Sequence, residues 1–260
     1  MEKISIINLK GGVAKTISSV NIAYILAAKY NKKVLLIDND KQGNVTKMFD
    51  LHDENKPSIS EVLTLKKTAK EVIRKSKYEN LDIIPANMTL LKANMDVMMD
   101  VGREQHNRLS KTLKEVEEEY DYCIIDNPPD INISVINAMV ASNSILIPIK
   151  IDKFAFDGMK ELMEQINNAR ALNKDLNIVR CFITCFGNNE VNLQGEEYLN
   201  KASYPMMKTH IRRTLKVDES TFANMPVLEY SRRCGASKDY LELVEEYIKL
   251  TGGNTNVTNE

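Results

Sequence analysis

Two lysines, two glycines and a threonine stand close together near the start of the chain, in the order Lys10-Gly11-Gly12-Val13-Ala14-Lys15-Thr16. An apolar strand pattern runs from Ile4 to Leu9 before them, and a helical pattern opens directly after them. Strand, glycine turn and helix in that order make a cradle for phosphate. Glycine exposes backbone N–H groups, and the helix N-terminus turns about half a positive charge toward an anion. Gly11, Gly12, Val13, Ala14, Lys15, Thr16 and Ile17 are the expected nucleotide-binding residues. Lys15 adds a full charge for the β- and γ-phosphates, and the Thr16 hydroxyl suits Mg²⁺. The plain alternative is a glycine turn with two surface lysines, and the register of strand, turn, lysine, hydroxyl and helix argues against it.

Carboxylates complete the chemistry. Asp38, Asp40 and Asp126 each end or follow an apolar run. A parallel sheet would bring them to its carboxyl edge, beside the phosphate loop, where open α/β sheets bind ligands. Gathered around a triphosphate they would repel it without a divalent cation, so the set implies ATP together with Mg²⁺. Asp126 is assigned to a Mg²⁺-bound water and Asp38 to support of that metal site. A single aspartate after a strand also serves as a helix cap or turn former. Three of them in register with the loop favour the metal.

Positioning these groups takes short strands alternating with helices. The expected fold is α/β and P-loop NTPase-like, a mostly parallel twisted sheet of about seven strands with helices on both faces. Strands are expected at Lys3 to Leu9, Lys33 to Ile37, Leu81 to Pro85, Tyr122 to Ile125, Ser144 to Ile149 and Ile178 to Thr184, with a weaker one at Met206 to Thr209. Three-and-four spacing predicts helices at Thr16 to Lys29, Arg103 to Glu119 and Phe156 to Leu172. Ser58 to Lys77 reads as two short helices joined near Leu65, and Lys238 to Leu250 as an amphipathic terminal helix. With 260 residues, 43% hydrophobic and 27% charged, the chain is an ordinary globular sequence. One domain over residues 1–250 and a flexible polar tail over 251–260 are expected.

The loop reading Lys-Gly-Gly-x-x-Lys-Thr, opened as well as closed by lysine, resembles the deviant Walker A motif of the ParA/MinD superfamily of ATPases. Leu36 to Asn44 resembles that family's DxDPQGN switch, and Tyr122 to Pro129 its strand-D-x-P-P block. Ile147-Pro148, Phe154 to Gly158 and Val217 to Ser220 are similar to later family text, so the likeness covers Met1 to Leu250. The resemblance implies that Asp40 orients the attacking water and that Lys10, Lys15 and Asp40 are the catalytic residues. It implies that Lys10 reaches across a face-to-face, ATP-dependent homodimer to the partner's nucleotide. A nucleotide trapped between two subunits favours the dimer by its differential affinity.

Three departures from the family pattern bear on that expectation. Ala14 replaces a glycine at a position expected to be left-handed, where a Cβ costs roughly 1–2 kcal/mol. Lys41 stands where the family has proline, and Asn127 where it has Thr, Ser or Cys. Weak intrinsic hydrolysis follows from these changes.

The 35 basic and 36 acidic side chains nearly cancel, so attraction to a polyanion needs a local patch. From Leu199 to Val217 there are five Lys and Arg residues and no acid, and Arg232, Arg233 and Lys238 follow. A solvated basic face is the bland reading. Relatives in the resembled family bind DNA without sequence preference through this region, which puts Arg212, Arg213 and Lys216 forward for DNA, while Asn188 and Asn189 stand where a further arginine is expected. Asp239, Glu242, Glu245 and Glu246 make the terminal helix a poor membrane anchor. Cys123, Cys181, Cys185 and Cys234 form no CxxC pair and read as free thiols. No operator-binding domain is expected before Met1.

The leading expectation is a cytoplasmic, nucleoid-associated ATPase that partitions a plasmid, integrative element or chromosome, stimulated by a ParB-like DNA-bound partner. The alternative is a related switch that positions a protein cargo or regulates a conjugative element. A carboxylate-activating ligase shares the loop and needs a substrate pocket that the sequence does not display.

Overall fold

A computed structural model describes residues 1–152 and 158–252. Among them eight strands form one sheet: β1 (Glu2–Ile6), β2 (Val34–Asp38), β3 (Arg74–Lys75), β4 (Leu81–Ile84), β5 (Tyr122–Asp126), β6 (Ser144–Lys150), β7 (Ile178–Phe186) and β8 (Met206–Arg212). Their order is β3-β4-β2-β5-β1-β6-β7-β8, with every pairing parallel except β3 against β4. The helices are α1 (Lys15–Ala28), α2 (Asn44–Met48), α3 (Ile59–Leu63), α4 (Ala69–Val72), α5 (Thr89–Met99), α6 (Arg108–Leu113), α7 (Ile133–Ala141), α8 (Met159–Leu172), α9 (Glu190–Lys201), α10 (Leu215–Phe222), α11 (Val227–Tyr230) and α12 (Gly235–Leu250).

The central strands are nearly continuous apolar runs because both faces of the sheet are covered. Alternate residues divide between the two sides. Ile4, Leu36, Ile124, Leu146 and Phe182 pack in a core with α1, α2, α11 and α12. Leu35, Ile37, Cys123 and Ile125 face α3 to α7, while Ile145, Ile147 and Ile183 face α7 to α9. Register then sets the site. Asp38 on β2 lies directly opposite Asp126 on β5, and Ile6 on β1 lies opposite Asp126 from the other side.

The sheet has eight strands where about seven were expected. The extra one, β3, lies inside the stretch read as helix from Ser58 to Lys77. The Thr68 capping box starts α4, but the helix ends at Val72, and Arg74–Lys75 pairs antiparallel with β4 at the sheet's edge. The helix expected from Arg103 to Glu119 is only α6 followed by a 3₁₀ turn, Lys114–Val116. Helices α2, α5, α7, α9, α10 and α11 were not anticipated. Of these, α7 is buried on nearly every side, so it carries no polar stripe to announce its period. The start of the helix expected at Phe156, the resembled residues Phe154 to Asp157 and the tail 253–260 lie outside the described residues.

Candidate nucleotide site

The loop from Ile7 to Ala14 crosses the carboxyl end of β1 and feeds α1. Asn8 is buried and fixes its base: the side-chain amide donates to the Pro148 carbonyl at 2.8 Å, and its oxygen accepts from Lys10 N at 2.9 Å. Gly12 and Ala14 are both left-handed, with φ of 71° and 62°. The strained backbone expected at Ala14 is therefore present, and this Cβ sits where glycine would cost less. The N-terminus of α1 has no acidic residue in its first turn and no side-chain cap, which leaves its N–H groups open toward an anion.

Lys15 is buried, and its ammonium donates back to the Lys10 carbonyl at 2.8 Å. Burial lowers its pKa, while Asp126, Asp40 and Asp130 oppose that shift. Three carboxylates thus act electrostatically on one lysine. Asp130 was missed in the sequence, although it directly follows the block ending at Pro129.

Asp126 is the centre of the arrangement. Thr16 Oγ1 donates to one of its oxygens and Ser19 Oγ to the other, each at 2.8 Å. Burial, reinforced by the neighbouring Asp38 charge, pushes the Asp126 pKa up to about 7 against those two hydroxyls and Lys15. Ser19 was also missed. Its signal is the three-residue step from Thr16, which puts both hydroxyls on the same side of α1.

Asp38 is fully buried, and burial pushes its pKa to about 6. One oxygen receives Thr46 N at 2.8 Å and Thr46 Oγ1 at 2.7 Å, so this carboxylate also anchors the start of α2. Asp40 is half-buried and closes a turn, with Gln42 N on its carboxylate at 2.9 Å and Gly43 N on its carbonyl at 2.8 Å. Gly43 is required there: its φ is +64°, and a Cβ would stand 2.9 Å from the Ala86 carbonyl oxygen. Two buried carboxylates side by side with raised pKa values, next to a threonine hydroxyl, fit a divalent cation whose remaining ligands are phosphate and water oxygens. Among the described residues no group of three or more His, Cys, Asp or Glu side chains forms a protein-only metal cage.

Lys10 points away from its own loop, and its ammonium pairs with Asp152 just past β6. Beside Ala14 a cavity of about 220 Å³ is lined by Lys150, Cys185, Arg213, Thr214, Asp218 and Tyr240, among others. The sequence put Ala14 forward for nucleotide and Arg212 and Arg213 for DNA, and marked Val217 to Ser220 as family-like text without a role; Lys150, Thr214 and Tyr240 it did not flag. A larger cleft, about 660 Å³, lies at the opposite, amino edge of the sheet and is lined by side chains of mixed charge such as Lys75, Asp82 and Tyr120. The phosphate loop and its carboxylates are not there.

The basic cluster is neutralised in part, at Lys201, Arg212 and Lys216. Arg212 makes a two-pronged ion pair with Asp239, at 2.8 and 2.7 Å, and donates its backbone N–H to the same carboxylate. Lys216 pairs with Glu219, Lys201 with Glu197, and His210 lies against Glu196. Among the described residues the Arg213 guanidinium has no ion-pair partner. All four cysteines are free, two of them only half-buried. Among the described residues no helix is long and apolar enough to cross a membrane.

A family model described as an AAA domain matches residues 1–178. The sporulation initiation inhibitor protein Soj of Bacillus subtilis (strain 168) is 33% identical over 247 residues, covering 94% of this chain and 96% of the relative. The chromosome-partitioning ATPase Soj of Treponema pallidum (strain Nichols) is 30% identical, covering 95% and 96%. The cell division protein PomZ of Myxococcus xanthus (strain DK1622) is 31% identical, covering 93% and 76%. Among solved structures, the ATP complex of a Cyanothece McdA variant superposes with a TM-score of 0.86 at 20% identity, covering 99% of each chain. A Borrelia burgdorferi plasmid partition protein bound to AMPPNP gives 0.78 at 24%, covering 96% and 99%. The structural likenesses establish the fold.

Proposed function

The chain belongs to the ParA/Soj family, and from that premise we propose that it is an ATP-hydrolysing switch of DNA partition. One observation carries the reading: Asp126 receives the Thr16 and Ser19 hydroxyls directly beneath an uncapped helix N-terminus, with Asp38 beside it. The amides of residues 11–17 cradle the ATP phosphates, and Lys15 exchanges the Lys10 carbonyl for phosphate oxygen. The cavity beside Ala14 takes the base and ribose. Mg²⁺, when bound, offsets charge on the phosphates. Thr16, Asp126 and Asp38 are the residues to hold it and its waters, and Asp40 holds the attacking water.

Two copies meet face to face over the nucleotides, with Lys10 released from Asp152 toward the partner's site. The dimer binds DNA without sequence preference through Arg213, Lys216 and, less directly, Arg212. A ParB-like partner on DNA stimulates hydrolysis. One ATPase domain over residues 1–250, a cytoplasmic location and nucleoid association in the ATP state belong to the same reading. The likeness to PomZ supports a second one, positioning of a protein cargo by the same cycle.

Light scattering with and without ATP and Mg²⁺ tests the switch. A doubling of mass only with ATP is expected. A constant mass, together with no calorimetric heat for ATP or ADP at millimolar concentration, overturns it. Co-sedimentation with plasmid DNA then separates the two readings only when paired with the candidate partner: stimulation by a DNA-bound adaptor supports partition, and stimulation by a DNA-free cargo protein supports positioning.

A further inference from the structure

Two asparagines at the strand ends stand out because both are entirely buried and neither role follows from the phosphate chemistry above. Asn39 lies between Asp38 and Asp40, and Asn127 directly follows Asp126. Asn39 is 0% and Asn127 1% exposed. Asn127 Nδ2 donates to the carbonyls of Ile6 and Ile125, both at 3.2 Å, and Asn39 Nδ2 donates to Asn127 Oδ1 at 2.8 Å. The backbone agrees, since Asn39 N donates to the Asp126 carbonyl at 2.9 Å. A line of amides therefore crosses three adjacent strand ends, β1, β5 and β2, under the site. It ends in Asn39 Oδ1, which is buried and has no hydrogen-bond partner.

The orientation of both amides is dictated by their neighbours. Asn127 must turn its NH₂ toward two carbonyls, so its oxygen faces Asn39, and Asn39 must answer with its own NH₂. The acceptor left over is the cost of that arrangement, since an unmet buried polar atom destabilises a fold. Such an atom at the foot of the Asp40 turn has a use if a donor reaches it in another state of the loops.

We propose that Asn39 and Asn127 are positioning residues: a hydrogen-bonded relay that ties the Asp40 turn to the Asp126 loop, with Asn39 Oδ1 taking one further donor when the loops close on a bound nucleotide. Occupation of the phosphate loop is thereby transmitted to Asp40. This rests on the nucleotide-switch reading above. It also gives a role to Asn127, one of the residues at which the chain departs from the family pattern.

The test uses the full chain with Mg²⁺ and a non-hydrolysable ATP analogue, followed by hydrogen exchange in three segments: residues 10–17, 40–44 and 126–131. In the wild type, nucleotide should protect all three. In Asn39→Leu, which keeps the volume and loses the amide, residues 10–17 should stay protected while 40–44 lose their nucleotide-dependent protection. Nucleotide affinity should change less than about threefold and turnover should fall about tenfold, the rate equivalent of one buried hydrogen bond. Asn127→Ser is the second variant, in case the buried leucine prevents folding, and is expected to uncouple the same segment. The double variant should be no slower than the worse single one. Retained protection at 40–44 in a folded single variant, or additive losses of turnover in the double variant, overturns the relay. No protection of residues 10–17 in the wild type overturns instead the nucleotide reading on which it stands.

Discussion

The carboxylates at the strand ends and the basic side chains around β8 are both dense clusters of charge, and the fold treats them in opposite ways. Asp38 and Asp126 are buried next to each other, and burial raises both pKa values. Arg212 and Lys216 are largely exposed, and acids from other positions, Asp239 and Glu219, neutralise them. Buried charge left in mutual repulsion is costly and persists where a ligand relieves it. Exposed charge with a partner costs little and says little about function. The first cluster is thus the stronger evidence for a site, although the second is the more conspicuous in a list of residues.

The largest break in that comparison comes from Lys15. Lys15→Ala removes the buried cation among three acids and should weaken ATP binding by about a hundredfold to a thousandfold, read by calorimetry. Next is the carboxylate pair itself. Asp126 titrates at about 7 and Asp38 at about 6 in the folded chain, above the ordinary value of 3.8. The unfolded chain releases these protons first, so nucleotide-free stability falls as pH rises from about 4 to about 7 and levels off above that. Asp126 alone should make the protein about 3 kcal/mol less stable at pH 8 than at pH 5. Asp126→Asn should flatten the greater part of that slope in denaturant titrations; an unchanged slope would mean that the carboxylate is ionised without strain.

On the basic side, Arg212→Ala should act on stability more than on DNA. It strips Asp239, whose side chain is 5% exposed, of its guanidinium, and a loss of about 1–2 kcal/mol is expected in thermal unfolding. Arg213→Ala with Lys216→Ala should leave stability alone, weaken DNA binding of the ATP state about tenfold at moderate salt and make its salt dependence shallower. If Arg212→Ala proves the more damaging to DNA binding at unchanged stability, Arg212 is a DNA contact and its pair with Asp239 is not what holds it in place. The smallest effect is expected at Ala14→Gly, which relaxes a φ of 62° and should tighten ATP binding about fivefold. Equal affinity would show that the loop carries the methyl group without strain.

The phosphate loop, α1, the central strands and the three aspartates were legible because each is local: a strand run, a glycine turn and a hydroxyl announce themselves within a few residues. The conformation at Ala14 was legible for the same reason. Helix α7 was not, since a helix buried on nearly every side has no stripe, and β3 was not, since two basic residues become a strand only by pairing with β4. Ser19 and Asp130 were missed although each stands within a few residues of a motif residue, and the Asn39–Asn127 contact was invisible, because what gives all three a role is a partner set by the fold.

The order of residues by itself determined that an anion-binding loop follows the first strand and that acids end the neighbouring ones. Which charges remain uncompensated was decided only by the tertiary structure. Strand register set Asp38 against Asp126, and the packing of α12 beside β8 set Asp239 against Arg212. Electrostatic energy depends on separation and burial in space, and neither quantity can be read from distance along the chain.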